Sequence, residues 1–159
     1  MTTHAIEARR VPRWAQFSAL ALALAAAAVA SYLTVTHYSD PASLACPDTG
    51  VVNCTLVTTS SWSVFLGVPV AVLGLAWSLV MVGLTLPRSW RTASVALDRA
   101  RLAASSLGVV AVVYLVYVEL FRIGAICLWC TAVHVLAVCL FGMVLAARAV
   151  ARPHVPAPV

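Results

Sequence analysis

The sequence CLWCTAVHVLAVCLFGMVLAA, residues 127–147, is an apolar stretch that opens with two cysteines three positions apart. It is long enough to cross about 30 Å of hydrocarbon as a helix, which takes about 20 apolar residues. Unpaired backbone N–H groups and the positive dipole end at a helix N-terminus stabilise a thiolate, so a thiol pair there is tuned for exchange. The stretch therefore predicts a membrane helix that begins with a redox-active pair, Cys127 and Cys130.

The composition of the whole chain is typical of a membrane protein. The chain has 159 residues, of which 63% are hydrophobic and 9% are charged, whereas a soluble domain is about half apolar and about a quarter charged. The formal net charge is +5, and all ten basic residues are arginines. They bracket the hydrophobic blocks, whereas a nucleic-acid binder clusters its charge on a soluble surface. We therefore exclude nucleic acid as a partner and expect membrane lipid.

Four apolar stretches are long enough to span a membrane, at about residues 14–35, 64–86, 102–121 and 123–147. They predict an all-α, four-transmembrane-helix bundle over residues 14–147, with an N-terminal segment at 1–13 and a tail at 148–159. The first stretch follows three arginines, as a signal peptide would. It is longer than a typical signal core and no clear small-x-small cleavage site follows it, so we interpret it as a retained helix.

Arginine positions predict the orientation of the bundle. With four spans, nine arginines fall on one side: Arg9, Arg10, Arg13, Arg88, Arg91, Arg99, Arg101, Arg148 and Arg152. Only Arg122 falls on the other. Both termini are therefore expected in the cytoplasm of a multi-pass inner or plasma membrane protein. The loop at 36–63, which a short half-helix would fit, faces the exterior or periplasm. Both cysteine pairs then lie on the exterior side, where disulfides form and persist.

The loop pair is Cys46 and Cys54. Pro-Asp-Thr-Gly between them is a turn signal that lets the chain double back. A structural disulfide that pins the loop is one interpretation, and a redox shuttle is the other. The helix pair could likewise be two buried thiols acting as small hydrophobes. Two pairs on the same side favour exchange, and no metal site is expected because the pairs lack matched zinc-type spacing.

His134 lies one helical turn after Cys130. Cys127, Cys130, Thr131 and His134 share one helix face, because positions i, i+3, i+4 and i+7 align. We interpret His134 as a hydrogen-bond donor to an oxygen of a redox ligand or as a proton carrier. The alternative is an imidazole bonded to a neighbouring helix.

Other polar and aromatic residues have simpler interpretations. Cys139 is expected to pack in the core. Glu119 and Arg122, spaced i and i+3, are expected to pair. Trp62 and Trp129 fall near predicted span boundaries and suit membrane-interface anchors, with a role in lining a ligand pocket as a second interpretation.

Taken together, these motifs resemble the vitamin K epoxide reductase family, integral membrane thiol oxidoreductases built as four-helix bundles around a quinone. The resemblance covers roughly residues 14–147. Its most specific parts are the C-x7-C loop pair, the stretch CTLVTTSSW at 54–62, the LGVP opening of the second span at 66–69, and CLWC with His134 after it.

The resemblance implies a role for each cysteine. Cys46 would exchange with a partner's thiols, Cys54 would pass electrons to Cys127, and Cys130 would face and reduce the quinone. Ser60 matches the family's serine or threonine near the active-site cysteines. The residues that we expect to contact the quinone are His134, Ser60, Trp62 and Trp129. The quinone itself would be menaquinone, ubiquinone or a phylloquinone-like molecule.

Two departures from the vertebrate enzymes bear on the activity. Those enzymes have a tyrosine where this chain has His134, and an asparagine in the second span where Gly83 falls nearest. The departures favour the bacterial activity, de novo disulfide formation, over vitamin K epoxide reduction. Many bacterial relatives carry a fused thioredoxin-like domain. None is expected here, so the partner is expected to be a separate, DsbA-like thioredoxin-fold protein.

The sequence thus predicts a quinone-dependent thiol–disulfide oxidoreductase that supports disulfide bond formation in exported proteins. One alternative runs the electrons outward, as a quinone or vitamin K epoxide reductase that consumes a dithiol. Another, of a different class, is a non-enzymatic membrane protein with two structural disulfides.

Overall fold

The computed structural model describes residues 11–47, 49–92 and 94–151. The expected N-terminal segment at 1–13 and the tail at 148–159 therefore lie mostly outside the described residues. The same holds for Arg9, Arg10 and Arg152, three of the arginines on which the predicted orientation depends.

Helices dominate the described residues. They are α1 (Arg13–Tyr38), α2 (Cys54–Thr59), α3 (Val70–Thr85), α4 (Pro87–Arg91), α5 (Val95–Val118) and α6 (Leu128–Val150), with 3-10 turns at Pro41–Ser43 and Ser61–Ser63 and a π-helical turn at Glu119–Ile123. A short antiparallel hairpin of β1 (Val64–Phe65) and β2 (Val68–Pro69) precedes α3. Three described helical stretches are long and apolar enough to cross a membrane, Arg13–Tyr38, Val95–Ile123 and Leu128–Val150, and α3 is a shorter apolar helix.

Helix α3 is shorter than the second predicted span at 64–86. Residues 64–69 form the hairpin instead, and its turn places Leu66 and Gly67 at positive φ of 51° and 82°. At the other end, Pro87 disfavours helical backbone at the residue before it. The resulting 16 residues rise about 24 Å, which is less than a typical hydrocarbon thickness.

The third and fourth predicted spans also start at different residues from the helices of the structure. Helix α5 begins at Val95 rather than near 102, because Ser94 caps it by accepting the N–H of Leu97 at 3.4 Å. Helix α6 begins at Leu128 rather than near 123. Gly124 takes a left-handed φ of 73°, which ends the preceding helix and separates it from α6.

The helices pack as a bundle in which α1 contacts α3 and α6, and α5 contacts α6 and α3. The buried face of α1 is made largely of alanines, including Ala15, Ala19, Ala23 and Ala26. Small residues let membrane helices approach closely.

Arginines cluster at one end of this bundle. The guanidinium of Arg101 donates to the carbonyl of Leu84 at 2.8 Å and lies 3.9 Å from the ring centroid of Trp90. Arg148 at the end of α6 pairs with Asp98 at the start of α5 at 3.1 Å. This end therefore joins the α3–α4 corner to the start of α5 and the end of α6.

Replacing Gly108 with alanine is expected to destabilise the bundle by about 1–3 kcal/mol, a typical overpacking cost. A Cβ at Gly108 would lie 2.8 Å from Cε2 of Trp77 and closer still to its Cζ2. The Trp77 ring cannot easily move, because its Nε1 donates to the carbonyl of Ala104 at 2.8 Å. Thermal unfolding in detergent measures the effect. Gly142→Ala is the control, since a Cβ there meets nothing within 4 Å; equal melting temperatures for the two variants would contradict the prediction.

Candidate redox site

Both cysteine pairs lie at the end of the bundle opposite the arginine-rich end. A parallel β-bridge between Val52 and Ile126 links the loop that carries the first pair to the segment that precedes the second pair. The N–H of Ile126 donates to the carbonyl of Val51 at 2.8 Å, and the N–H of Asn53 donates back to the carbonyl of Ile126 at 3.1 Å. These bonds fix the cysteine loop against the segment that leads into α6.

The loop pair forms a disulfide, Cys46–Cys54, with Cα atoms 6.0 Å apart. Cys54 is the first residue of α2, which Asn53 caps by accepting the N–H of Leu56 at 2.8 Å. Cys54 is 1% exposed, whereas Cys46 is half-buried. A surface groove of about 440 Å³ runs beside the disulfide; it is lined by Cys46, Pro47, Asn53, Cys54, Thr55, Leu56 and Thr59. Cys46 is therefore the more accessible cysteine of the pair.

The helix pair consists of two free thiols. Cys127 is the N-cap of α6, and its Sγ accepts the N–H of Cys130 at 3.1 Å. The hydroxyl of Thr131 donates to the carbonyl of Cys127 at 2.9 Å, which fixes the start of the helix. Hydrogen bonds from the Cys130 side chain and backbone lower the pKa of the Cys127 thiol, against the opposing effect of burial. This is the environment of an exchange-active thiol.

A single buried apolar cluster joins the two pairs. Its members are Leu33, Leu44, Cys54, Val57, Ala125 and Cys127, and Cys46 and Cys130 pack against it. The structure therefore brings all four predicted catalytic cysteines together. Cys54 and Cys127, one from each pair, are both almost fully buried in this cluster.

A cavity of about 430 Å³, open to the surface, lies between α5 and α6 next to the helix pair. It is lined by Val112, Val116, Glu119, Leu120, Ile126, Thr131, His134, Val135, Val138 and Cys139. The polar members, Glu119, Thr131 and His134, are at the end nearer the cysteines, and the rest of the wall is mostly apolar. Such a cavity, apolar with a few polar groups that orient the ligand, is typical of small-molecule sites.

His134 fits an oxygen-bearing ligand in this cavity. Its side chain is 7% exposed, and its Nδ1 atom is buried without a hydrogen-bond partner among the described residues. Buried polar groups are normally paired, so an unpaired nitrogen on a cavity wall suits a quinone oxygen. The alternative expectation, an imidazole bonded to a neighbouring helix, finds no such bond at Nδ1 in the described chain.

Three of the predicted quinone contacts lie outside the cavity lining. Ser60 donates its hydroxyl to the carbonyl of Val57 at 2.8 Å, and Trp62 lies under the guanidinium of Arg122. Trp129 packs against Tyr32 with ring centroids 4.8 Å apart, and its Nε1 donates to the carbonyl of Ala45 at 3.1 Å. Contacts of Ser60, Trp62 and Trp129 with a quinone stay predictions.

The expectation that Cys139 packs in the core is wrong. Its side chain is exposed on α6 and lines the end of the cavity farther from the cysteine pairs. Period counting along a helix that is apolar on every face does not distinguish the face that packs on a neighbour from the one that faces lipid.

The sequence interpretation missed Glu119. The expected ion pair with Arg122 is absent from the described residues; the Arg122 guanidinium instead lies 4.9 Å from the ring centroid of Trp62. Glu119 is 6% exposed and lines the cavity with His134. One signal could have found it, because an acidic residue inside a membrane span is a functional candidate by default.

Comparison with known proteins identifies a family. The family model described as Vitamin K epoxide reductase family matches residues 17–145, a range that contains both cysteine pairs, Glu119 and His134. Among curated proteins, no sequence is significantly similar to this chain.

Proposed function

The chain belongs to the vitamin K epoxide reductase family and is therefore a membrane oxidoreductase, and we propose that it reoxidises a thioredoxin-fold partner of the DsbA type and passes the electrons to a membrane quinone. The observation that carries the proposal is the single buried cluster that holds Cys54 and Cys127. It gives the loop pair and the helix pair a direct route of exchange.

The proposed relay runs through the four cysteines in order. A partner thiolate attacks Cys46, and the S–S bond to Cys54 breaks. The partner's second thiolate attacks this mixed disulfide, so that the partner leaves oxidised and Cys46 is freed. Cys54 attacks an oxidised helix pair at Cys127 and releases Cys130. Cys46 then attacks Cys54, which closes the loop disulfide and leaves Cys127 and Cys130 as thiols. The bonded loop pair and free helix pair correspond to this stage of the relay.

The last step of the relay takes place at the cavity. Bound there, a quinone accepts two electrons and two protons as Cys127 and Cys130 form a disulfide. The unpaired Nδ1 of His134, in its N–H form, donates a hydrogen bond to a quinone oxygen at the polar end. The mostly apolar lining suits the ring of a quinone.

Redox potentials set the direction of the proposed reaction. Quinones are more oxidising than thiol pairs, and about 30 mV corresponds to about 1.4 kcal/mol for a two-electron couple. Oxidation of the partner should therefore run downhill, with menaquinone, ubiquinone or a phylloquinone-like molecule as acceptor.

The proposed orientation puts the cysteine end on the exterior or periplasmic side of an inner or plasma membrane, with both termini in the cytoplasm. Arg13, Arg88, Arg91 and Arg148 belong to helix ends at the opposite end of the bundle, which suits the cytoplasmic side. Disulfides in the loop would then form on the oxidising side.

Purified protein in detergent is expected to oxidise a reduced DsbA-like protein only when a quinone is added. Partner thiols are counted with a thiol reagent, and quinone reduction is followed by its ultraviolet absorbance. Two partner thiols should disappear for every quinone that is reduced. Dithiol consumption that depends on vitamin K epoxide and not on quinone would favour the outward-running reductase. Disulfides that resist reduction, with no turnover on any acceptor, would support the non-enzymatic alternative.

A further inference from the structure

We propose that Glu119 is a proton-transfer residue of this site, which accepts a proton from the Cys127–Cys130 thiol pair and delivers it to the quinone oxygen at the polar end of the cavity. The inference rests on the proposed function, since it assigns the proton route of the same electron transfer. Four observations about the position of Glu119 support it.

The first observation is the backbone of Glu119, which is held in place by an irregular turn. Glu119 begins the π-helical turn that ends α5, and such turns are frequent at functional sites. Its carbonyl accepts the N–H of Gly124 at 2.9 Å and the N–H of Ala125 at 3.2 Å. These two bonds tie Glu119 to the segment that leads directly into Cys127.

The second observation is what the carboxyl group faces. The backbone N–H of Cys127 favours its charged form, and its negative charge opposes ionisation of the Cys127 and Cys130 thiols. In a buried site, two like charges disfavour each other strongly. Loss of a proton from either thiol therefore favours uptake of a proton by Glu119.

The third observation is the position of Glu119 in the cavity wall beside His134 and Thr131. The same carboxyl group thus borders both the thiols and the space assigned to the quinone. A proton carrier must come within hydrogen-bond reach of its donor and its acceptor, directly or through one water, and Glu119 is the acidic side chain of this wall.

The fourth observation is that no cation neutralises the carboxyl group in the described structure. The titratable groups that face it from α6 and its N-cap are Cys127, Cys130 and His134. Helix α2, which also packs on the turn, carries no charged residue. On its own turn, Arg122 is directed over Trp62. The Glu119 carboxyl group is therefore free to exchange a proton with the thiols.

The proposed step balances in electrons and protons. Cys127 and Cys130 lose two electrons and two protons and form one S–S bond, and the quinone gains two of each and becomes a quinol. One proton passes from a thiol to the Glu119 carboxylate and then to the quinone oxygen at the polar end. The second is released to water at the outer surface, and the other quinol oxygen takes its proton from water.

The first test uses protein without quinone and compares Glu119→Gln with the parent. Cys46, Cys54 and Cys139 are replaced by alanine in both, so that only the helix pair reacts with an alkylating reagent. The rate of alkylation rises with pH as the thiols ionise. Loss of the carboxylate should lower the pH at which this rate is half-maximal, its midpoint, by about one unit or more. The matched control is Arg122→Gln, which removes a charge from the same turn but faces Trp62 and should leave the midpoint unchanged.

The second test measures quinone-dependent turnover with all cysteines in place. Glu119→Gln should slow quinone reduction by about 10²–10⁴-fold, the usual contribution of a positioned proton-transfer group. Exchange between the partner and the loop disulfide should keep its parent rate, and Glu119→Asp should recover part of the lost quinone reduction.

The outcomes separate this inference from the proposed function. If the parent protein turns over with quinone and Glu119→Gln matches it, the proposed function stands and the role of Glu119 is refuted. A shifted midpoint with an unchanged rate also overturns the inference, because the carboxylate would then affect the thiols without carrying a proton. If the parent protein reduces no quinone at all, both proposals fail together.

Discussion

Quinone-dependent oxidation of the partner is expected to fall by about 10³-fold or more when Cys130 is replaced by alanine, as it does when a nucleophile is removed from a catalytic unit. Without Cys130, the helix pair cannot form its disulfide, so no electron pair can pass from the sulfur atoms to the quinone. The measurement is quinone absorbance during turnover with a reduced DsbA-like protein.

A second measurement locates the defect of Cys130→Ala within the relay. Exchange between the partner and the Cys46–Cys54 disulfide should survive in one stoichiometric round, because the loop pair and its groove are unchanged. Leu145→Ala is a suitable control, since this exposed residue lies on the same helix and outside the cavity lining. Quinone reduction at the parent rate by Cys130→Ala would remove the helix pair from the proposed mechanism.

The elements that the sequence predicted well depend on short-range physics. A long apolar run such as residues 14–35 forms a helix because its backbone groups must pair internally in lipid, and α1 covers that range. The C-x-x-C motif and the apolar run after it placed Cys127 close to the start of α6, where it is the N-cap.

The differences arise where the chain geometry overrides hydropathy. Residues 64–69 are apolar enough to extend a helix, but the left-handed backbone at Leu66 and Gly67 turns them into a hairpin. Gly124 interrupts the fourth apolar stretch in a similar way. Hydropathy alone does not report positive φ, so both helix starts were placed too early.

The position of Glu119 depends on the same kind of local irregularity. Regular helical spacing puts Glu119 and Arg122 on one face at i and i+3, which predicts an ion pair. The π-helical turn changes the residues per turn, so the two side chains point to different neighbours, the cavity and Trp62. A sequence pattern that assumes a uniform helix cannot predict this separation.

Cys46 is expected to be the cysteine that reacts with the partner. The Cys54→Ala variant should therefore trap the partner as a mixed disulfide. In a background with Cys127, Cys130 and Cys139 replaced by alanine, this variant keeps Cys46 as its single cysteine. A DsbA-like protein with one active-site cysteine, activated as a mixed disulfide with thionitrobenzoate, should then form a protein–protein disulfide. Release of the coloured thiolate and non-reducing electrophoresis measure the rate and the product.

The matched variant is Cys46→Ala in the same background, which keeps only Cys54. Its thiol is 1% exposed and packed in the apolar cluster with Val57 and Ala125, whereas Cys46 is half-buried beside the groove. Because thiol exchange requires access to the attacking sulfur, we expect the Cys46 protein to react about tenfold faster or more. Equal rates, or a faster reaction at Cys54, would reverse the order of the first two cysteines in the relay. The helix pair would then have to receive its electrons from Cys46, the cysteine of the loop pair that is packed at the edge of the cluster rather than inside it.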